Sequence, residues 1–195
     1  MAAGWLRTGG TVWYNVAVQP PDDIRSQLKR QALNVEELEK QSKLEISDHY
    51  TASLGQKSKE KFAVPSMKVA DQSIEFMKSD ALLPEQMPEV LGIRDDLSIY
   101  DRFNQERNWV EFLLTRYIPM IRRLKVTAIR GLIRGIHSEW AYKQLEASSD
   151  GIVDFKLEDN EGSRNVIRIR RMRNIAHNRE WHPLKIGDNL EVTLE

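Results

Sequence analysis

The sequence contains no cysteine among its 195 residues, which excludes disulfide bonds, thiolate zinc sites and cysteine nucleophiles. It also has no net charge, because 29 basic residues balance 29 acidic ones, so a global field for nucleic acid is excluded. No apolar run approaches the roughly 18 residues of a membrane span. The N-terminus lacks the charged start and long apolar stretch of a signal peptide. We therefore expect a cytoplasmic protein without a membrane segment.

A phosphate-binding loop of the form G-x-x-x-x-G-K-[ST] is also missing from these residues. That motif surrounds nucleotide phosphates with backbone N–H groups and adds a lysine charge. The stretch 4–11 imitates its spacing, but Gly10 replaces the lysine and the stretch precedes a strand instead of following one. The usual source of triphosphate affinity is therefore absent, which favours binding or regulation over catalysis.

Apolar periodicity predicts alternating strands and helices, and hence an α/β fold with a mostly parallel sheet. A β-branched and aromatic run is followed by Pro20-Pro21, after which Asp22 or Asp23 can cap a helix. The predicted strands are 11–18, 43–48, 96–101 and 126–136. The predicted helices are 22–33, 35–41, 67–77, 109–124 with a bend at Pro119, and 138–147, with an exposed loop over 51–66 and an extended segment over 82–92.

The C-terminal region predicts antiparallel hairpin strands. Segments 152–157 and 166–172 flank a polar turn over 158–163, and residues 190–194 alternate as a last strand. The composition, 41% hydrophobic and 30% charged, is that of an ordinary globular protein. We therefore expect a single domain over 1–195, in which 151–195 forms the antiparallel edge.

Three groups of residues resemble the archaeal-type KaiC-like branch of the RecA superfamily. They are 21–25 with the charged helix and 43–46 after it, 97–101 as a Walker B strand ending in an acid, and 135–142 followed by 149–155. The resemblance extends over nearly the whole chain and implies a RecA-like sheet flanked by helices. In the family the phosphate loop precedes the first of these groups, so the N-terminal strand and phosphate loop are expected to be absent here. An internal methionine at Met1, in a longer protein, is left open.

The resemblance also assigns family roles to the positions of Val18, Gln19 and Asp101. Active relatives carry a glutamate pair as the base for water where this chain has Val18 and Gln19, and neither can accept a proton at neutral pH. Asp101 matches the acid that binds magnesium through water, although a turn or capping acid is the alternative. A lone carboxylate holds magnesium poorly without substrate phosphates.

Arg171-Met172-Arg173 aligns with the basic motif that reaches a neighbouring subunit's γ-phosphate, where it would stabilise transferring charge. An ordinary cationic hairpin face is the alternative. The surrounding segment 164–179 is basic and also suggests a nucleic-acid surface, with Trp181 for stacking. Alternating Ile167 and Ile169 favour a plain amphipathic strand instead. The arginines of this segment are Arg164, Arg168, Arg170, Arg171, Arg173 and Arg179.

The histidines give no metal-ligand spacing, and we expect no metal site. His137 matches a loop that faces the subunit interface in the family, although a structural role is the favoured interpretation. Ser138 has no nucleophile elbow around it. The four histidines are His49, His137, His177 and His182.

Together these observations predict a degenerate KaiC-like domain without ATP turnover that acts by oligomeric or regulatory association. Its partners would be copies of itself or an active KaiC-like relative, and no cofactor is expected. Two alternatives stay open. One is a fragment or variant of a KaiC-like ATPase, which would use ATP and magnesium. The other is a nucleic-acid-binding module that uses the basic hairpin 164–179.

Overall fold

The computed structural model describes residues 1–80, 87, 89–159, 163–188 and 192–194. The chain divides into two compact units, Met1–Tyr142 (unit 1) and Lys143–Glu195 (unit 2). The helices are α1 Ala2–Arg7, α2 Pro21–Arg30, α3 Val35–Lys40, α4 Tyr50–Ser53, α5 Val69–Asp80, α6 Glu106–Phe112, α7 Ile118–Arg123 and α8 Glu139–Ser148. The strands are β1 Thr11–Val16, β2 Leu44–Asp48, β3 Phe62–Ala63, β4 Val90–Arg94, β5 Thr127–Arg130, β6 Gly151–Asp159, β7 Ser163–Met172, β8 His182–Ile186 and β9 Val192–Leu194.

Unit 1 is built on a five-stranded parallel sheet in the order β3-β2-β1-β4-β5. In its centre Val12 pairs with Leu44 on one side and with Leu91 on the other. The carboxyl ends of all five strands therefore meet at one edge, where ligands of open α/β sheets bind. Within the described ranges, no helix is both long and apolar enough to cross a membrane.

Apolar side chains cover both faces of this sheet, because successive residues of a strand point to opposite sides. Val12 belongs to a buried cluster that includes Ile24 and Leu28 of α2, whereas its neighbour Trp13 packs against a second cluster around Leu124. The i and i+4 spacing of Ile24 and Leu28 places both on the buried stripe of α2. Pro21 at the start of that helix is also buried.

The predicted strand over 96–101 is wrong. The strand is Val90–Arg94, and Ser98–Arg102 forms a 3₁₀ helix. The chain turns because the Asp96 carboxylate accepts the backbone N–H of Ser98 at 2.7 Å, a local bond that competes with strand pairing. Buried apolar residues on this helix imitate the period-two signal of a strand. Most of the predicted segment 82–92 lies outside the described residues.

Other predicted elements also differ in extent, among them the first strand, which ends at Val16 instead of 18. Strand β5 ends at Arg130 instead of 136, and the predicted loop over 51–66 contains α4 and the short β3. The long helix after 106 is interrupted by a π-helical segment, Leu113–Tyr117, which ends two residues before Pro119. Proline has no N–H to offer the carbonyl four residues earlier, and a widened turn accommodates that loss.

Unit 2 contains a four-stranded antiparallel sheet in the order β6-β7-β8-β9. The predicted hairpin and last strand are present, whereas β8 was not predicted; residues 160–162 of the turn lie outside the described part of the chain. A β-bulge interrupts β7, because Val153 pairs with Ile169 but Ile152 pairs with Arg171. Arg170 is therefore the extra residue.

Candidate functional sites

The positions matched to a catalytic base, Val18 and Gln19, lie in the segment that follows β1, beyond Ala17, at the carboxyl edge of the sheet. The Val18 side chain is half exposed, and the Gln19 side-chain oxygen accepts a hydrogen bond from Gln27 Nε2 at 3.1 Å. Neither side chain can take a proton from water at neutral pH. The structure thus places an uncharged pair at the end of β1.

The acid that follows β4 is Asp95, not Asp101. Its carboxylate accepts the backbone N–H of Ala17 at 2.9 and 3.0 Å and that of Val18 at 3.1 Å. These bonds fasten the end of β4 to the end of β1 and occupy the carboxylate with protein donors. Sequence reasoning missed Asp95 because it placed the strand too late; the apolar run 90–93 before it was the available signal.

Beside this edge lies a buried polar network centred on Arg94. Its Nη1 donates to the hydroxyl of Tyr100, whose own proton goes to Gln72 Oε1 at 2.8 Å, and its Nη2 lies 3.4 Å from His49 Nε2. Burial opposes the charge of Arg94, but nearby Tyr100 and Tyr117 raise the pKa of its guanidinium. Burial, followed by the charge of Arg94, holds the pKa of His49 well below its usual range.

Asp101 lies on the 3₁₀ helix and belongs to a different cluster from Asp95. Its Oδ2 is 2.8 Å from Nδ1 of His137, and Oε1 of Glu106 is 3.4 Å from the same nitrogen. One potential ligand atom from each of these three residues lies within 4.8 Å of the others. The structure therefore brings together two of the residues considered from sequence, Asp101 and His137, and adds Glu106.

Neighbouring groups fix each member of this cluster. Trp109 Nε1 donates to Oδ1 of Asp101, and the backbone N–H and hydroxyl of Ser138 donate to Glu106 at the start of α6. Burial acts to raise the pKa of Glu106, but the Ser138 donors and the neighbouring His137 lower it below its usual value. Sequence reasoning missed Glu106 because 31 residues separate it from His137, and no local spacing reports that contact.

The arginines of β7 are paired within unit 2. Arg168 and Arg170 both reach the Asp154 carboxylate, at 2.9 and 3.2 Å. Arg171 donates to the backbone carbonyls of Glu146 and Ser149 at the end of α8, the second at 3.0 Å. A role in a neighbour's nucleotide site would therefore require Arg171 to leave these carbonyls.

Two further arginines of the basic segment also have acidic neighbours. Arg164 lies 3.2 Å from Glu158, and Arg173 lies 3.1 Å from Asp150. The Trp181 ring contacts two cations, with Lys156 Nζ 4.4 Å and the Arg168 guanidinium carbon 4.5 Å from its centroid. These contacts give the basic segment acidic and aromatic partners inside its own unit.

No curated protein matches the chain. A solved structure of similar fold is the KaiC-like protein PH0186 from the hyperthermophilic archaeon Pyrococcus horikoshii OT3, with a TM-score of 0.70 at 19% sequence identity, covering 100% of this chain and 80% of that one. The family model described as "ATPase: KaiC" matches residues 4–194. The chain therefore belongs to the KaiC family of ATPases.

Proposed function

We propose that this KaiC-family domain does not turn over ATP and acts through oligomeric or regulatory association, with copies of itself or with an active KaiC-like relative. The proposal has two supports: the side chains at the carboxyl edge of the unit 1 sheet, and the exposed surface of the unit 2 sheet. The second is the observation on which association depends.

At the carboxyl edge, the groups needed to activate water and bind magnesium are replaced or occupied. Val18 and Gln19 stand at the base positions, and Asp95 accepts backbone donors from β1. A carboxylate that already accepts several N–H groups has less capacity to hold a hydrated cation. General-base catalysis therefore has no agent at the positions that the resemblance assigns to it.

The unit 2 sheet exposes an apolar face. The cross-strand register aligns alternate residues of β6, β8 and β9 on one side, and the exposed fractions of these side chains run from 42% to 66%. Contiguous apolar patches on a protein surface are frequently interaction sites when they are large. The residues of the apolar face are Val153, Phe155, Leu157, Ile186, Val192 and Leu194.

The opposite side of β6 and β7 has a different character, since it carries the paired charges of Asp154, Arg168 and Arg170. One side of the sheet thus carries paired charges, while the other is apolar and exposed. Burial of apolar area is the main favourable contribution to association. A second copy of the chain, presenting the same face, is the occupant we propose first.

Association is tested by measuring the mass in solution of the full chain and of two matched variants. Leu157→Asp changes a residue that is 57% exposed on the apolar face, and Leu54→Asp changes one that is 55% exposed in unit 1. We expect an oligomer that Leu157→Asp shifts to the monomer and that Leu54→Asp leaves intact. A monomeric wild type that also fails to bind an active KaiC-like relative would overturn the association.

The loss of turnover is tested separately by phosphate release with ATP and magnesium, beside equilibrium binding of a fluorescent ATP analogue. We expect no phosphate release above buffer and no binding up to millimolar nucleotide. Release that disappears in an Asp95→Asn variant would identify this chain as an active ATPase and contradict the proposal. Micromolar binding without release would point to a phosphate cradle of another kind.

A further inference from the structure

We propose that Asp101, Glu106 and His137 form a binding site for a divalent first-row transition cation such as Zn²⁺ or Mn²⁺. The site would offer one imidazole nitrogen and two carboxylate oxygens, with a remaining position for solvent. It lies wholly within unit 1 and does not depend on the proposed function.

The distances between the three donor atoms are close to those expected for ligands of one shared ion. Two ligand atoms that are each about 2.1 Å from one ion at a near-tetrahedral angle lie about 3.4 Å apart. His137 Nδ1 is 2.8 Å from Asp101 Oδ2 and 3.4 Å from Glu106 Oε1. Small movements of two side chains that are a quarter exposed would bring all three to bonding distance.

The environment of His137 supports the presence of a cation between the three side chains. Its side chain is completely buried, and its Nδ1, although 2.8 Å from Asp101 Oδ2, makes no hydrogen bond of acceptable geometry to any residue that the structure describes. The nitrogen thus lies close to two anions, yet an N–H on it would not point along either N···O line. A cation placed between the nitrogen and the oxygens would satisfy all three groups.

The other imidazole nitrogen is held as in protein metal sites. His137 Nε2 lies 2.9 Å from Ser98 Oγ, which also accepts the backbone N–H of Ile133 at 3.0 Å. A hydrogen bond to the second nitrogen fixes the ring and directs the first nitrogen towards a metal. Trp109 stands edge-on to the same ring with its centroid 5.4 Å away, which restricts rotation further.

Each carboxylate has an outer partner on its other side. Trp109 Nε1 binds Oδ1 of Asp101 and leaves Oδ2 towards the imidazole. The Ser138 hydroxyl binds Oε2 of Glu106, while Oε1 faces the imidazole and accepts the Ser138 N–H at 2.9 Å. Such outer-shell bonds orient ligating side chains and tune the affinity of a site.

The chemical types of the three ligand atoms determine which class of metal ion we expect to bind. Imidazole suits zinc and other first-row transition metals, whereas carboxylates also suit manganese; without thiolates, soft ions such as Cu(I) are disfavoured. Because Asp101 and Glu106 each keep about a quarter of their side chains exposed, an ion has a route from solvent and a place for a water ligand.

The test is a titration of the chelator-treated chain with Zn²⁺ alone and with Mn²⁺ alone, in which calorimetry measures the affinity. Metal analysis after gel filtration then measures the number of bound ions per chain. We expect one ion per chain. Asp101→Asn and Glu106→Gln should each weaken binding more than tenfold, while keeping an acceptor for Trp109 and for Ser138. His137→Gln should abolish binding, and Ser98→Ala should weaken it about tenfold.

Two variants serve as matched controls. Glu111→Gln removes another acid from α6, and His177→Gln removes a histidine from unit 2; both should bind the ion as the wild type does. Circular dichroism and the melting temperature establish that each variant is folded, and if His137→Gln is not, the two carboxylate variants decide. Failure to bind one ion per chain, or unchanged affinity in Asp101→Asn and Glu106→Gln, would overturn the proposal.

Discussion

The carboxylate of Asp95 accepts the backbone N–H of Ala17 through both oxygens, at 2.9 and 3.0 Å. Asp95 follows β4 and Ala17 follows β1, so one side chain closes two neighbouring parallel strands at the edge where ligands of such sheets bind. The bond to Val18 at 3.1 Å extends the closure by one residue. These are charge-assisted hydrogen bonds, which contribute more to stability than hydrogen bonds between neutral groups.

Replacing this carboxylate should therefore destabilise unit 1. We expect Asp95→Ala to lower the free energy of unfolding by about 2 kcal/mol, because the buried Ala17 amide loses its acceptor. Asp95→Asn keeps one oxygen acceptor and should lose about half as much. Urea denaturation followed by tryptophan fluorescence measures both. Equal stability of Asp95→Ala and the wild type would show that water replaces the carboxylate without cost.

A glycine at the end of β5 is required by close packing. A Cβ on Gly131 would lie 2.0 Å from the carbonyl oxygen of Asp95, a backbone atom that cannot rotate away. We expect Gly131→Ala to cost about 3 kcal/mol of unfolding free energy. Gly92→Ala is the matched control, since its Cβ would make ordinary contacts at 3.6 Å or more. If both variants melt at the wild-type temperature, the approach of β5 to Asp95 is not tight in solution.

The hydroxyl of Tyr100 connects two buried polar groups. It accepts a hydrogen bond from Arg94 and donates one to Gln72. Tyr100→Phe removes both bonds without opening a cavity, so we expect a loss of about 2 kcal/mol in urea denaturation. Tyr50→Phe is the control, because no hydrogen bond of the Tyr50 hydroxyl occurs within the described part of the chain. A loss no larger than that of Tyr50→Phe would contradict the network.

His49 should make stability depend on pH. Its pKa is well below 6.5 in the folded protein, because burial and Arg94 both oppose its charge. The unfolded chain therefore binds a proton that the folded protein refuses. The contribution is fully present above about pH 6.5 and is lost as the pH falls below it, by at most about 1.4 kcal/mol per pH unit.

Comparing unfolding free energies at pH 7.5 and pH 5.0 measures this effect. The decrease in the wild type should exceed that in His49→Gln, whose amide can still accept from Arg94 but does not titrate. Titrating carboxylates contribute equally to both proteins and cancel in the comparison. An equal decrease in the two proteins would show that His49 is protonated in the folded state.

Local signals in the sequence predicted the elements whose causes are local. The helix after Pro20 is predicted because the prolines, the acids and the apolar spacing all lie within ten residues, but the predicted cap is wrong: Asp22 and Asp23 lie in the first turn, and Pro20 is the N-cap without a side-chain hydrogen bond. The parallel sheet followed from the alternation of strands and helices. These features need only the residues that form them.

The remaining features depend on contacts between distant parts of the chain. The strand at Val90–Arg94 is an exception with a local cause, since the Asp96 carboxylate accepts the backbone N–H of Ser98 and turns the chain after the strand. The cluster of Asp101 with Glu106 and His137 joins two segments more than thirty residues apart, and no spacing rule reports such an encounter. Sequence reasoning consequently named Asp101 for a different role.

The bulge in β7 determines the chemical character of both sides of the unit 2 sheet. In a regular strand Arg170 and Arg171 would point to opposite sides. The extra residue lets both reach the end of α8, where Arg170 contacts the Glu146 carboxylate and Arg171 the carbonyls. Pairing Ile152 with Arg170 instead would turn the Arg171 guanidinium towards the apolar face. A single inserted residue thus keeps a positive charge off the apolar face on which the proposed association depends.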